Sequence, residues 1–471
     1  MADSLDLDRF VGGSDVWNRI WAGSFWRPAA AKRGAHLHAA LVERPGSCIR
    51  RLAGTRAREI QYTRFLRNPS VTTAEMVGHA AEVTSARVRG RDLVVIQDTS
   101  EISVGGRRAK AQGYGPIGKG GALRGLLLHA VLTVDAATGG VIGLVDAQVR
   151  NRTGGKKVAA RRTRKTKEKE SQRWIDGTIR AGEVLAQAKS ITGVSDRESD
   201  IYEHFVARRS NMHLIVRACQ NRKIVKQEKH QCSSLYPYID NLPEAGRFIT
   251  QIPAAPGRKA RVTELAVRFS RVELCKPRYG ARKLPKTIEL TVVDVRETSQ
   301  PADSDPIHWR LIASQQVEDF EQARRIVDCY RMRWTIEEYF RTLKTAGFDI
   351  EAADIGDPQV MIKFVAAIAV AAVTIMQLVK ARDGATGQKL TDVFDPADQP
   401  LLEAISSKIE GKTAKQQNPH PKGSLEYASW VIGRLGGWTG YYGKPGPQVM
   451  RRGIEDFQRI KFGAHLELQN V

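Results

Sequence analysis

Two textures alternate along the chain. Leu93-Val94-Val95-Ile96 is a short, partly β-branched apolar run that stops at Gln97-Asp98-Thr99. That pattern predicts a buried strand with a carboxylate delivered at its end. Residues 126–134 and 141–145 are apolar runs flanking the turn-rich stretch Asp135-Ala136-Ala137-Thr138-Gly139-Gly140, which predicts a hairpin. Apolar positions then recur at helical spacing over 174–188. A second strand-like stretch, 190–194, runs straight into Ser195-Asp196-Arg197-Glu198-Ser199-Asp200, and 201–205 reads as a helix start. From 213 to about 313 several β-like runs are separated by Pro- and Gly-rich turns, the pattern of a β insertion. Residues 317–347 keep helical spacing throughout, with no Pro or Gly before the end.

The two ends of the chain differ from this middle. Residues 1–72 are rich in Arg and Trp and carry helical patches broken at Arg27-Pro28, Pro45-Gly46 and Asn68-Pro69, so a small helical module is expected there. Residues 73–381 then form an α/β domain with the β insertion at about 213–313, and 382–471 a helical tail with a polar linker at 412–423. The apolar run 364–376 is shorter than the ~20 residues a membrane-spanning helix needs, so a buried helix is expected and no membrane partner. Strands and helices in this order suit a five-stranded mixed sheet covered by helices, and the order is similar to the ribonuclease-H-like nucleotidyltransferase fold.

Composition narrows the chemistry. With 42% apolar residues the chain can build real cores. Its 74 Lys and Arg outnumber 51 Asp and Glu, and a net charge of +23 points to a polyanion, nucleic acid ahead of acidic lipid. Cys48, Cys219, Cys232, Cys275 and Cys329 form no C-x-x-C pair, which argues against a zinc finger or a disulfide scaffold. There is no H-E-x-x-H either, so a metal site would fall to carboxylates. The acidic opening MADSLDLDRF is not a signal peptide, and a reducing, cytoplasmic setting is expected.

One segment concentrates the candidate chemistry. At about 100° per helical residue, Tyr330, Arg333, Glu337 and Lys344 fall in one stripe, beside an apolar face of Ile336, Phe340 and Leu343. Such a stripe offers cations and a hydroxyl to a phosphodiester and a carboxylate to a metal, although a solvated amphipathic helix has the same pattern. Asp98 and Asp196 at strand ends and Glu337 on a helix make a joint set. Hard cations take oxygen ligands, and two of them about 3.5–4 Å apart can serve both the attacking and the leaving oxygen. GYGPIGKG at 113–120 nearly spells a P-loop, but Gly120 stands where Ser or Thr would bind Mg²⁺, and no helix is expected after it. His129 is expected to be a buried, satisfied histidine.

Tyr330-x2-Arg333-x3-Glu337-x6-Lys344 resembles the Y-R-E-K signature of bacterial DDE transposases of the insertion-sequence-four type. The likeness extends, in order, to RFLRNP at 64–69, LVVIQDTS around Asp98, GLLLHAVLTV, DRESDI from Asp196, HWRLIAS around Trp309, and GSLEYASWVIGRLGG at 423–437. It implies an α/β, ribonuclease-H-like catalytic core with an inserted β subdomain, flanked by helical N- and C-terminal domains. It also implies cut-and-paste transposition: 3′ nicking, hairpin formation and opening, then strand transfer. By this resemblance Asp98, Asp196 and Glu337 hold two Mg²⁺ or Mn²⁺ ions, and Tyr330, Arg333 and Lys344 hold phosphates. Trp309 would receive a flipped base, the alternative being a core aromatic of the β insertion. The partners implied are double-stranded DNA, as transposon ends and target, and a second copy of the chain in a homodimeric synapse on the bacterial nucleoid. Arg64, Arg67 and Asn68 are the implied end contacts, although Asn68-Pro69 would equally serve as a helix stop. The segment 17–33 departs from the family pattern. The basic run 156–169 suits either DNA contact or a solvated loop. Two other functions stay open: a non-catalytic DNA-binding regulator derived from a transposase, and a metal-dependent nuclease on the same fold.

Overall fold

The computed structural model describes residues 28–105, 110, 112–152, 169–225, 233–252, 259–278, 283–301, 304–384 and 386–469. Most of the segment 17–33 and nearly all of the basic run 156–169 lie outside the described residues. The fold is α/β, with ten strands in a mixed sheet among the described residues. The strands are β1 (Asp92–Ser103), β2 (Gly115–Ile117), β3 (Leu123–Asp135), β4 (Val141–Arg150), β5 (Ser190–Ser195), β6 (Met212–Arg217), β7 (Gly246–Ile252), β8 (Arg261–Cys275), β9 (Thr287–Glu297) and β10 (His308–Ala313). Before β1 come helices α1 (Pro28–Glu43), α2 (Ile49–Ala53), α3 (Arg56–Arg67) and α4 (Thr73–Ala86). Between β4 and β10 lie α5 (Gln172–Val184), α6 (Tyr202–Ala207) and α7 (Leu235–Asp240). After β10 follow α8 (Phe320–Arg331), α9 (Trp334–Leu343), α10 (Pro358–Ala381), α11 (Gln399–Ile409), α12 (Leu425–Leu435) and α13 (Pro447–Gln469).

The chain divides into two compact units. Unit 1 comprises Met1–Arg89, Thr99–Gly155 and Thr335–Val471; unit 2 comprises Gly90–Asp98 and Lys156–Trp334.

Unit 1 is organised around α10. Phe364 to Ala372 are all buried, and the helix packs on α1, α3, α4, β4, α12 and α13. Among the described residues α10 alone is long and apolar enough to cross a membrane, and 83% of its most apolar window is buried inside the fold. It starts where Asp357 accepts the Gln359 N–H, with Pro358 in the first turn, where a missing N–H costs nothing. The expected hairpin forms between β3 and β4, its turn held by Asp135 Oδ1 accepting the N–H groups of Ala137 and Thr138 at 3.0 and 3.1 Å. α4 begins with a complete capping box, Thr72 and Glu75 each accepting the other's backbone N–H. Gly118, Gly120 and Gly121 sit at φ 74°, 69° and 75°, a left-handed run that glycine permits, and β3 follows in place of the helix a phosphate loop requires. His129 is buried, with Nδ1 2.9 Å from Thr99 Oγ1.

Unit 2 carries strands in the order β1-β5-β6-β10-β9-β8-β7. β1, β5 and β6 run parallel, and Leu93 to Gln97 are all buried, as a strand covered on both faces requires. β10 lies antiparallel to β6, and β9, β8 and β7 continue outward as an antiparallel series. The sheet is therefore wider than the five strands expected. The strands read as an insertion continue the same hydrogen-bonded ladder, because β10 beside β6 presents an edge whose backbone groups β9 satisfies. α8 packs on β5, β8 and β9.

Candidate active site

The centre of interest lies where β1 and β5 stop pairing. Their parallel register runs from Asp92 opposite Ser190 to Ile96 opposite Val194. Two residues further along each strand stand Asp98 and Asp196. Side chains alternate across a strand and neighbouring strands are about 4.8 Å apart, so equal spacing beyond a shared register puts both carboxylates on one side of the sheet. β1 itself does not end at Asp98, as its sequence suggested, but continues to Ser103. What ends there is its ladder with β5, which leaves the acidic side chain beyond the paired stretch.

Asp196 turns the chain out of β5 into a short 3₁₀ segment, Arg197–Ser199, and its carbonyl accepts the Ser199 N–H at 3.0 Å and the Ser199 hydroxyl at 3.1 Å. Its side-chain Oδ1 is buried without a hydrogen-bond partner. A desolvated carboxylate oxygen with no donor is costly unless a positive charge answers it. Asp98 Oδ2 meets Arg333 Nη1 at 3.2 Å.

The approach to Arg333 differs from the sequence reading. The helix expected over 317–347 is two helices, α8 and α9, separated at Met332 and Arg333. The turn closes with i→i−3 bonds, Met332 N–H to the Cys329 carbonyl at 3.2 Å and Arg333 N–H to the Tyr330 carbonyl at 3.0 Å. No Pro or Gly causes this break; the tight turn leaves Arg333 on Asp98. Tyr330 and Arg333 thus do not share one helical stripe with Glu337.

Tyr330, in the last turn of α8, is buried. Burial pushes its hydroxyl above the ordinary phenol value and the Asp196 charge adds to this, against Arg333 and a hydrogen-bonded Arg217. The Trp309 ring stands 5.5 Å from the Tyr330 ring, edge-on at 61°. Trp309 also borders a cavity of about 610 Å³ whose other walls include Arg197, Arg217, Tyr236, His308 and Arg310. The Arg310 guanidinium lies 4.4 Å over the Tyr236 ring and pairs with Asp240 at 2.9 Å. Fully buried Asp294 anchors the same wall, taking His308 Nε2 at 2.8 Å and Arg296 Nε at 2.6 Å. Three guanidiniums and two aromatic rings around one cavity suit an anion bearing a flat ring.

Unit 2 therefore brings together Asp98, Asp196, Trp309, Tyr330 and Arg333. The other sequence candidates belong to unit 1. Glu337 is half-buried in the first turn of α9. Lys344 follows the end of that helix, with Nζ 3.6 Å from Glu351. Arg64 and Arg67 are exposed on the last turn of α3, in a set with exposed Arg50, Arg51 and Arg56. Asn68 ends α3, its side chain accepting the Ser70 N–H at 3.0 Å, the arrangement of a helix stop.

Sequence reasoning passed over Arg217 and Arg310. Arg217 ends β6, the third parallel strand, and the carboxyl ends of parallel strands are where such sheets bind ligands. Arg310 flanks Trp309 on β10 and carried no signal of its own, because Tyr236 and Asp240 reach it from α7.

As a metal site, Asp98 and Asp196 offer hard oxygen donors suited to Mg²⁺ or Mn²⁺, and the unpartnered Asp196 Oδ1 fits a cation. Among the described residues, no group of three or more His, Cys, Asp or Glu side chains is gathered closely enough to hold an ion. No protein-family model matches the chain.

Proposed function

We propose that the protein is a DDE-type DNA transposase with a ribonuclease-H-like core, in which Asp98 and Asp196 are the strand-borne metal ligands and Glu337 the helical one. The carrying observation is the placement of Asp98 and Asp196 two residues past the last register pair of two adjacent parallel strands, with Arg333 on one carboxylate and Tyr330 within electrostatic reach of the other. Glu337 joins them on the strength of the sequence pattern.

Two divalent ions, when bound, would supply the activation of the attacking oxygen and the stabilisation of the leaving one. The protein's own groups do the rest. Arg333 and Arg217 offer guanidiniums to non-bridging phosphate oxygens, and Arg333 exchanges Asp98 for phosphate as DNA enters. The Tyr330 hydroxyl, held protonated, donates to a phosphate oxygen. Trp309 presents an aromatic face to an unstacked base, relieving a sharply bent strand end. Arg50 and Arg51 on α2 and Arg56, Arg64 and Arg67 on α3 are exposed and offer cations to duplex phosphates, with specificity for ends left to groove contacts. A homodimeric synapse on bacterial DNA completes the reading.

The test is direct. Purified protein, Mg²⁺ and a duplex carrying the inverted repeats that flank its gene should yield an excised segment with hairpin ends and a strand-transfer product. Asp98→Asn and Asp196→Asn should each lower that yield at least about a thousandfold while retaining DNA binding. Hydrolysed ends without joined product would mark a nuclease; tight end binding without cleavage would mark a regulator. Either outcome overturns the proposal.

A further inference from the structure

Behind the two aspartates, unit 2 contains a chain of buried hydrogen bonds that links Gln97 of β1 to the turn that follows β5. Gln97 Nε2 donates to Thr178 Oγ1 at 2.8 Å, and Thr178 Oγ1 is 2.6 Å from His204 Nε2. His204 Nδ1 lies 3.3 Å from the Ser199 carbonyl. The Ser199 hydroxyl in turn reaches the Asp196 carbonyl at 3.1 Å and the Ser195 hydroxyl. Gln97, Thr178, Ser195, Ser199 and His204 are each at most 2% exposed.

The direction of every bond follows from the ends. A carbonyl only accepts, so Nδ1 of His204 carries the ring proton. The neutral ring then accepts at Nε2, which obliges the Thr178 hydroxyl to donate there and to receive the Gln97 amide on a lone pair. A single tautomer satisfies the whole chain. Burial pushes His204 down to about 4, which keeps the ring in that neutral form at physiological pH.

Position gives the chain its meaning. Gln97 immediately precedes Asp98, so its side chain leaves the sheet on the opposite face from the carboxylate. Ser199 grips the backbone of Asp196 itself. Both aspartates are thus tied from behind to one pair of side chains, Thr178 on α5 and His204 on α6.

We propose that Gln97, Thr178, His204 and Ser199 form a positioning brace that sets Asp98 and Asp196 at the separation a bound divalent ion requires. The inference rests on the metal-binding reading above and adds the residues that orient the ligands. Groups of this kind typically govern metal affinity without touching the ion. A purely structural network would affect stability and leave ion affinity unchanged.

The experiment is Mn²⁺ binding to the full chain, followed by electron paramagnetic resonance, beside urea unfolding of the same samples. Thr178→Val keeps the shape and removes the hydroxyl; it should weaken Mn²⁺ binding about tenfold or more. Thr178→Ser, which keeps the hydroxyl, should restore the wild-type affinity. If Thr178→Val does not fold, Gln97→Met carries the same expectation from the other end of the chain. Folded variants that bind Mn²⁺ as the wild type does would overturn the brace and leave the metal reading standing. A wild-type chain that takes up no Mn²⁺ would overturn the metal reading and the brace together.

Discussion

Unit 1 and unit 2 both bury apolar central elements, Phe364 to Ala372 in α10 and Leu93 to Ile96 in β1, and they differ in what fixes the segments around them. In unit 1 the heart is α10, where Phe364 to Ala372 pack against neighbours with no polar side chain among them. In unit 2 the loops after β5 and β6 are joined by Asp200 and Arg222, whose side chains are 0% and 6% exposed. Asp200 accepts the N–H groups of Cys219 and Gln220 and both Nε and Nη2 of Arg222, and its carbonyl accepts Arg222 as well. Apolar packing is non-directional and yields by degrees; a buried charge pair holds only while both members are present. The difference teaches where each unit keeps its precision. Unit 1 needs bulk, whereas unit 2 needs Asp196 and the cavity-lining residues Arg217 and Cys219 at fixed places.

The largest effect should come from breaking that pair on one side. Asp200→Ala leaves the Arg222 charge buried without an acceptor and should cost about 3–5 kcal/mol in urea unfolding. The double change Asp200→Ala with Arg222→Met removes both charges and should recover most of the loss. A single variant within 1 kcal/mol of wild type, roughly the worth of an exposed ion pair, would erase the contrast between the units.

Asp200 also shows what the sequence could and could not reveal. The strand Ser190–Ser195 and the helix Gln172–Val184 follow from local pattern, because an apolar run and a 3.6-residue spacing are properties of neighbours in the chain. The same holds for the hairpin, whose turn is spelled by Asp135 to Gly140. Asp200 was visible only as one more acid beside Asp196, since its partner Arg222 lies 22 residues away in a stretch without periodicity. The break at Met332 and Arg333 was invisible for a related reason. Every residue there favours continuing the helix, and the partner that matters, Asp98, is 235 positions distant. The width of the sheet was hidden because strand neighbours are chosen by tertiary pairing, which alternation along one strand does not encode. Asp98 and Asp196 could be found because each follows a short apolar run, which is a local feature; that β1 continues past Asp98 to Ser103 was not legible from that run.

Acid provides a second, smaller lever on the same comparison. Each unit holds a deeply buried imidazole with a lowered pKa: His38 in unit 1, pushed down to about 3, and His204 in unit 2, pushed down to about 4, in both cases chiefly by burial. Their ordinary value is 6.5. As pH falls through 6.5 the unfolded chain takes up protons that the native rings refuse, so stability present at neutral pH is lost between 6.5 and the native values. By pH 5 each ring should cost about 2 kcal/mol, and His79, His213 and His420, lowered in the same sense, add to the trend. Urea midpoints at pH 7 and pH 5 measure the loss directly. Equal midpoints would mean that the native rings take up protons between pH 7 and pH 5 as the unfolded ones do, and the hydrogen-bond directions assigned around a neutral His204 would then be wrong.

The smallest effect belongs to the apolar unit and sharpens the contrast from the other side. Ile368→Val in α10 removes one methylene from a fully buried position without introducing a polar atom. The expected loss is about 0.5–1.5 kcal/mol, the transfer term plus whatever cavity the neighbours leave. Because apolar packing is non-directional and yields by degrees, the lower end is expected, with the slope of the unfolding transition unchanged. A loss of 3 kcal/mol or more would show that α10 is as finely fitted as the Asp200–Arg222 pair. The precision of the molecule would then lie in both units, and the tolerance assigned to unit 1 would have to be withdrawn.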